Sequence, residues 1–162
     1  MASRMEVPPN SDLTLGMVCV EKSVPGRCVW QMRADERFAN PAGIMQGGFL
    51  AAFCDSSMGA AAVTFAGVEG RKVFSSNAEM KVSFLAPVAV GSVLVCTAAV
   101  VSGGKRVAFV ECSVVAGSAG AAGSGGSGGS GEGGEGSDEA TGPASERLVA
   151  RASSTYLFKE RD

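Results

Sequence analysis

Eighteen residues from Gly48 to Phe65, GFLAAFCDSSMGAAAVTF, contain no proline and one charge, Asp55. The run is rich in Ala, Leu, Phe and Met, and is apolar nearly all the way round. As a helix it would be about 27 Å long at about 1.5 Å per residue. A helix without a polar face has to be enclosed by other structure if the chain stays in water. Ala51, Ala52, Gly59, Ala60, Ala61 and Ala62 are small enough to let a sheet or a second helix come close. Asp55 is also the only charge between Phe38 and Val68, so a membrane span has to be weighed. The mid-segment carboxylate, the frequent Gly and Ser, and the lack of a flanking basic cluster argue against one.

The segments on either side read as strands. Leu15 to Lys22 (LGMVCVEK) and Arg27 to Arg33 (RCVWQMR) alternate, with Val24-Pro25-Gly26 as the turn between them. Phe38 to Met45 is a loop around Asn40-Pro41 and Gly43. After Gly67–Gly70 come Val73 to Leu85, Ser92 to Ser102 and Arg106 to Ala116, then Leu148 to Phe158. Gly103-Gly104 is a two-residue hairpin signal. The order is strand, strand, long helix, then four strands read as an antiparallel meander. A curved antiparallel sheet wrapped around one central helix, an α+β fold, satisfies it.

Residues 117–146 interrupt this domain with 12 of the chain's 23 glycines, 6 serines, five acids and no base or aromatic residue. Such a stretch cannot bury enough apolar surface to offset its ordering entropy. It reads as a disordered Gly/Ser/acidic insertion expanding an ordinary strand connection, which costs stability only slowly with length. The expected organisation is an N-terminal extension (1–14), one domain (15–158) carrying the insertion, and a short tail (159–162).

Formal net charge is -2, but without the insert the remainder is mildly basic, with 11 acids against 14 bases. That suits an anionic small molecule and is too weak to argue for nucleic acid. The N-terminus has no apolar signal region and is broken by Pro8-Pro9. Five cysteines without a C-x-x-C pair, each among apolar neighbours, read as reduced thiols of a cytoplasmic protein. There is no histidine. Ser-His-Asp and Cys-His pairs are thereby excluded, as is any His-containing zinc site. Base chemistry at neutral pH falls to a carboxylate, lysine, tyrosine or thiolate.

The informative stretch is Asn40-Pro41-Ala42-Gly43-Ile44-Met45-Gln46-Gly47-Gly48, with Asp55 two turns further on. Glycines at a helix start let a ligand reach the backbone. The free N–H groups there, with the positive end of the helix dipole, can hold an oxyanion. A carboxylate inside an uncharged helix is costly to bury. It marks either a functional group or a structural Asp that caps a neighbouring loop, and residue chemistry leaves both open.

N-P-x-G-x-x-x-G-G followed seven residues later by Asp resembles the PaaI-type hotdog thioesterases, whose signature is H-G-G with a downstream D. The resemblance continues through Glu79-Met80-Lys81-Val82-Ser83-Phe84-Leu85-Ala86-Pro87, like that family's strand ending in aromatic-x-x-Pro. It spans Leu15 to Phe158 apart from the insert. It implies a hotdog fold and a homodimer with a continuous sheet, assembled as a homotetramer (a dimer of dimers), with sites between subunits. It implies acyl-CoA hydrolysis in which the N–H at Gly47 polarises the thioester carbonyl. The carboxylate at Asp55, from the facing subunit, attacks it or activates water. Asn40 would orient this chemistry, and Asn77 would position the water or the carboxylate. No metal or redox cofactor is implied, and coenzyme A enters only as part of the substrate.

One departure is Gln46, where the family has His. Gln46 can donate an amide hydrogen bond to the thioester oxygen or to a loop carbonyl, but cannot shuttle a proton. A non-catalytic acyl-CoA-binding hotdog protein is therefore the second expectation. A hotdog hydratase or dehydratase is disfavoured because those enzymes use a catalytic His. Gly48 belongs to the same substrate-binding turn. Arg71, Lys72, Lys105 and Arg106 flank turns and are candidates for the CoA phosphates. Met45, Phe49, Phe53, Met58 and Phe84 are candidates for the acyl pocket, although core packing is the commoner fate of such residues.

Overall fold

The computed structural model describes residues 9–117 and 146–160. The expected insertion lies outside them except for its ends, Gly117 and Glu146, as do most of the N-terminal extension and the end of the tail. The elements are α1 (Asn10–Leu15), β1 (Val18–Glu21), β2 (Arg27–Arg33), α2 (Gly47–Ala66), β3 (Val73–Phe84), β4 (Val93–Gly103), β5 (Val107–Gly117) and β6 (Arg147–Glu160). Short 3-10 turns occupy Glu36–Phe38 and Val68–Gly70.

The apolar run forms α2, one residue longer at each end than expected. It is long and apolar enough to cross a membrane. Here it packs on β2, β3, β4, β5 and β6, which form one antiparallel sheet with β1. The strands turn small or slender side chains toward it: Cys28 on β2, Cys96 and Ala98 on β4, Ala108 and Cys112 on β5, Ala150 and Ala152 on β6, all buried. Phe53, Cys54, Met58, Ala61 and Ala62 of α2 fill the space between. Alternate residues of the same strands face outward, the period-two pattern of a sheet with one covered face.

The strand order is β1-β2-β4-β5-β6-β3, which corrects the expected four-strand meander. Of the last four strands, only β4, β5 and β6 follow one another. After α2 crosses the sheet, β3 emerges on the far side and pairs with β6, from Val73 opposite Glu160 to Phe84 opposite Ala150. β4 then returns beside β2. Alternation specifies which face a residue takes but not which strand lies alongside, so the sequence held no signal for this crossover. As a consequence β3, 12 residues long, has one paired edge and one open edge.

Three local differences have physical causes. The first strand starts at Val18 rather than Leu15, because Asn10–Leu15 is a helix closed by Gly16 at φ 67°. Buried Leu15 and Met17 anchor that helix. The turn at Val24-Pro25-Gly26 is as expected: Gly26 has φ 80° and Arg27 N–H donates to the Val24 carbonyl at 3.0 Å. The Gly103-Gly104 hairpin is longer than two residues. Gly103 stays in β4, opposite Ala108, and Gly104–Arg106 form the loop. A Cβ on Gly103 would lie 2.9 Å from the Phe65 ring and 3.1 Å from the Val107 carbonyl oxygen, so this glycine serves close packing on α2 rather than the turn.

Cys28, Cys54, Cys96 and Cys112 are buried, and Cys19 is partly exposed. Burial pushes the Cys28 thiol from an ordinary value of 9.0 up to about 11. The native state therefore keeps a proton that the unfolded chain releases. The associated stability is complete below about pH 9 and is lost as the pH rises through about 11. A thiol reagent at pH 8 is expected to label Cys19 quickly and the other four only at the rate of unfolding. The denaturant midpoint is expected to fall between pH 9 and 11. Fast labelling of all five thiols would contradict this core.

Candidate active site

Two groups of the expected residues assemble, at different levels of α2. The first is at its N-terminus. Gln46 is the N-cap residue, extended at ψ 132°, and its side chain makes no bond to the first turn. The N–H groups of that turn are thus left without a side-chain cap. The preceding loop is held by its own polar groups. Asn40 Oδ1 accepts from Ala42 N–H at 2.9 Å and Ile44 N–H at 3.4 Å, and Asn40 N–H donates to the Ile44 carbonyl at 2.8 Å. Gly43, at φ 75°, supplies the left-handed residue in between. Asn40 Oδ1 is therefore committed to the loop, and Nδ2 is the part of the side chain left for a ligand. Gln46 N–H donates to the Phe38 carbonyl at 2.7 Å, and the stacked Phe38 and Phe49 rings, 4.5 Å apart, fasten the loop to the helix.

Phe84, at the end of β3, reaches the same place. A Cβ on Gly47 would lie 3.1 Å from its ring, so the missing side chain is what lets the ring cover the helix start. Phe84 is 54 % exposed, so part of it is free to meet a ligand. Gly48 is open on the other side. Met45, Phe53 and Met58 are instead buried in the protomer core, and Phe49 is partly buried against it.

The second group surrounds Asp55. Asn77 Nδ2 donates to Asp55 Oδ1 at 2.6 Å. The Tyr156 hydroxyl donates to the same oxygen at 2.7 Å and lies 2.9 Å from the Asp55 backbone carbonyl. Ser154 Oγ lies 2.8 Å from Asn77 Oδ1 and 2.6 Å from the Glu79 carbonyl oxygen. Because a carboxylate only accepts, Asn77 must turn its NH2 toward Asp55, and the Ser154 hydroxyl is the donor available to the amide oxygen. A bulge in β3 between Asn77 and Glu79 helps set this geometry, since it places Asn77 directly across from Tyr156.

Sequence reasoning found Asp55 and Asn77 and missed Tyr156 and Ser154. The signal was present: Tyr156 is the only tyrosine, on a strand whose inward positions are otherwise Ala150, Ala152, Ser154 and Phe158. A buried phenol needs a partner, and α2 offers one charge. Burial first, then the Asp55 carboxylate, pushes the Tyr156 phenol well above its ordinary value. The hydroxyl thus remains a donor throughout the physiological range.

The basic candidates form a third locality. Arg71 Nη2 donates to the Lys105 carbonyl at 3.0 Å and pairs with Glu160 at 3.4 Å. This draws Arg71, Lys72, Lys105 and Arg106 to the sheet end where β3 begins and the β4–β5 loop turns. They lie toward the C-terminal end of α2, where Phe65 meets Gly103.

Within one protomer the first two groups do not meet. Gly47 and Asp55 are eight residues apart on a continuous helix, about 12 Å along its axis. One carbonyl cannot touch both. A surface depression of about 410 Å³, lined by Lys81, Glu111 and Arg151 among others, opens on the outer face of the sheet and includes no residue of either group.

Comparison with known proteins agrees with this architecture. Human acyl-coenzyme A thioesterase 13 is 30% identical over 101 residues, 62% of this chain and 69% of that protein. The PaaI protein of Escherichia coli superposes with a TM-score of 0.69 at 16% identity, over 93% of this chain and 84% of that one. A thioesterase protein from Streptococcus pneumoniae, solved with coenzyme A, superposes with a TM-score of 0.68 at 14% identity over 94% of each chain. These two structures share the hotdog fold seen here, a six-stranded antiparallel sheet on one long helix. The family model of the Thioesterase superfamily matches residues 42–122, which include the glycine turn, all of α2 and the Asn77 strand, and the chain belongs to that superfamily.

Proposed function

We propose that the protein hydrolyses acyl-CoA thioesters, with Asp55 as the attacking or base carboxylate and Gly47 N–H as the oxyanion donor. The observation that carries this reading is the state of Asp55: Oδ1 is held by two donors and, among the described residues, nothing occupies Oδ2. Asp55 is only partly buried, so Oδ2 is open to solvent and within reach of a substrate or water. The acyl-CoA class is supported by the similarity to acyl-coenzyme A thioesterase 13 and by the coenzyme A bound in the Streptococcus structure.

The 12 Å gap is closed by a second copy. The open edge of β3 can pair with β3 of another protomer across a two-fold axis, extending the sheet and facing Asp55 of one copy toward Gly47 of its partner. A dimer is all that this chemistry needs; a tetramer remains the expectation from the family resemblance. The thioester oxygen would sit at the uncapped end of α2, where the helix dipole favours the developing negative charge. In the base route, Asp55 Oδ2 takes a proton from water as the water oxygen bonds to the carbonyl carbon. The tetrahedral intermediate then expels the thiolate, which recovers a proton, leaving acid and free CoA. In the nucleophile route, Oδ2 bonds to the carbon, the C–S bond breaks, and water cleaves the resulting anhydride. Phe84 would border the acyl group, Asn40 Nδ2 and the Gln46 amide would be left to orient it, and Arg71, Lys72, Lys105 and Arg106 would be the candidates for the phosphates. Five free thiols suit a cytoplasmic setting.

Thiol release from phenylacetyl-, benzoyl- and short to long aliphatic acyl-CoAs tests the reaction. Asp55→Asn is expected to lower kcat by about 10²–10⁴-fold, the range for loss of a positioned base. Wild-type turnover in that variant would sink the assignment. The oxyanion role has its own test. Proline is tolerated at the first helical position and Gln46 already has the extended ψ that a following proline requires, so Gly47→Pro deletes the N–H without breaking α2. Gly47→Ala sets the same Cβ against Phe84 but keeps the donor. The proline variant is expected to be about 10²–10³-fold slower than the alanine variant. Equal rates would remove Gly47 N–H from the mechanism.

The exposed Gln46 side chain, without a bond to the helix, favours one second reading, a protein that binds acyl-CoA without cleaving it. That reading predicts no release with any substrate, while acyl-CoA still raises the melting temperature.

A further inference from the structure

We propose that Tyr156 is a positioning residue for the reaction: with Asn77 it holds Asp55 Oδ1, so that Oδ2 is the oxygen presented to water or to the thioester. This rests on the reading of Asp55 as the working carboxylate. The two donors reach Oδ1 from adjacent positions of paired strands, at 2.6 Å from Asn77 on β3 and 2.7 Å from Tyr156 on β6. Two such bonds to one oxygen fix the rotation of the carboxyl group about its Cβ–Cγ bond and leave the other oxygen uncommitted. Charge-assisted bonds of this length are strong enough to do so.

The hydroxyl has a second acceptor within reach, the Asp55 backbone carbonyl at 2.9 Å, but one proton to give. The anionic oxygen is nearer and is the stronger acceptor. The ring itself lies against Gly59, one turn beyond Asp55, where a Cβ would sit at an ordinary contact distance of 3.6 Å. Removing only the hydroxyl therefore leaves the packing in place. Because its phenol resists ionisation, Tyr156 serves as a fixed donor and not as a proton shuttle. The titratable groups facing it are Asp55 from α2 and Cys112 from β5.

Two measurements on the full-length protein decide the matter. Tyr156→Phe is expected to lower kcat about 10–100-fold, in line with a lost bond to a charged group, with KM for acyl-CoA changed less than about twofold. In an Asp55→Asn background the same change is expected to cost nothing more. Wild-type kcat in Tyr156→Phe, alongside an inactive Asp55→Asn, would overturn the role of Tyr156 and leave Asp55 standing. An active Asp55→Asn would instead remove the reading beneath it. The second measurement does not need Tyr156→Phe to fold. Since the chain has one tyrosine, tyrosinate absorbance after a rapid pH jump reports Tyr156 alone. Asp55→Asn takes away a nearby negative charge, so the phenol is expected to ionise at lower pH than in the wild type. An unchanged midpoint would show that the phenol does not bear on the carboxylate, and would overturn the proposal.

Discussion

One face of α2 has to be kept from water, and burying Leu50, Phe53, Cys54, Ser57, Met58, Ala61, Ala62 and Ala66 is the constraint that shapes the rest of the protomer. The sheet closes over α2 on one side, where many inward positions of β2, β4, β5 and β6 are cysteine, alanine, serine or valine, with Met32, Leu94, Tyr156 and Phe158 as the larger exceptions. Where the layers approach closely, as at Gly103, there is little room for a larger side chain. The same requirement accounts for Gly103, which looks like a turn residue in the sequence and is a contact residue in the fold.

The single charge on α2 is the exception around which the site is organised. Asp55 is partly buried, and Asn77 and Tyr156 both donate to one of its oxygens. That arrangement is asymmetric. It ties one oxygen to the protein and leaves the other, among the described residues, without a protein donor. The other candidate group, the N-terminus of the same helix under Phe84, has no side-chain cap and is two turns away. A rigid helix thus holds both components and keeps them from acting on one substrate atom within a single chain.

Much of this was legible in the sequence. The span of α2 is legible to within one residue at each end, because an unbroken apolar run of this length without proline reads as a helix. Asp55 stood out as its only charge, and the resemblance carried by the glycine turn and by Glu79–Pro87 brought in Gly47, Asn77 and Phe84. The pairing of β3 with β6 was not legible, since periodicity reports the face of a strand and not its neighbour. Tyr156 was missed for a related reason. It lies 101 residues from Asp55, and only the β3–β6 register places it opposite Asn77. Met45, Phe53 and Met58 were named as pocket candidates by type alone, and the protomer uses them as core.

The central claim is that a working site takes Asp55 from one copy and Gly47 from another, and subunit mixing tests it most directly. Asp55→Asn and Gly47→Pro protomers, each inactive alone, would be unfolded together in equal amounts, refolded and assayed. In a two-fold dimer a mixed pair contains one intact composite site and one doubly defective one, so about a quarter of the wild-type activity per protomer is expected. Activity no greater than the sum of the two separate variants would contradict the shared site and return both groups to a single chain.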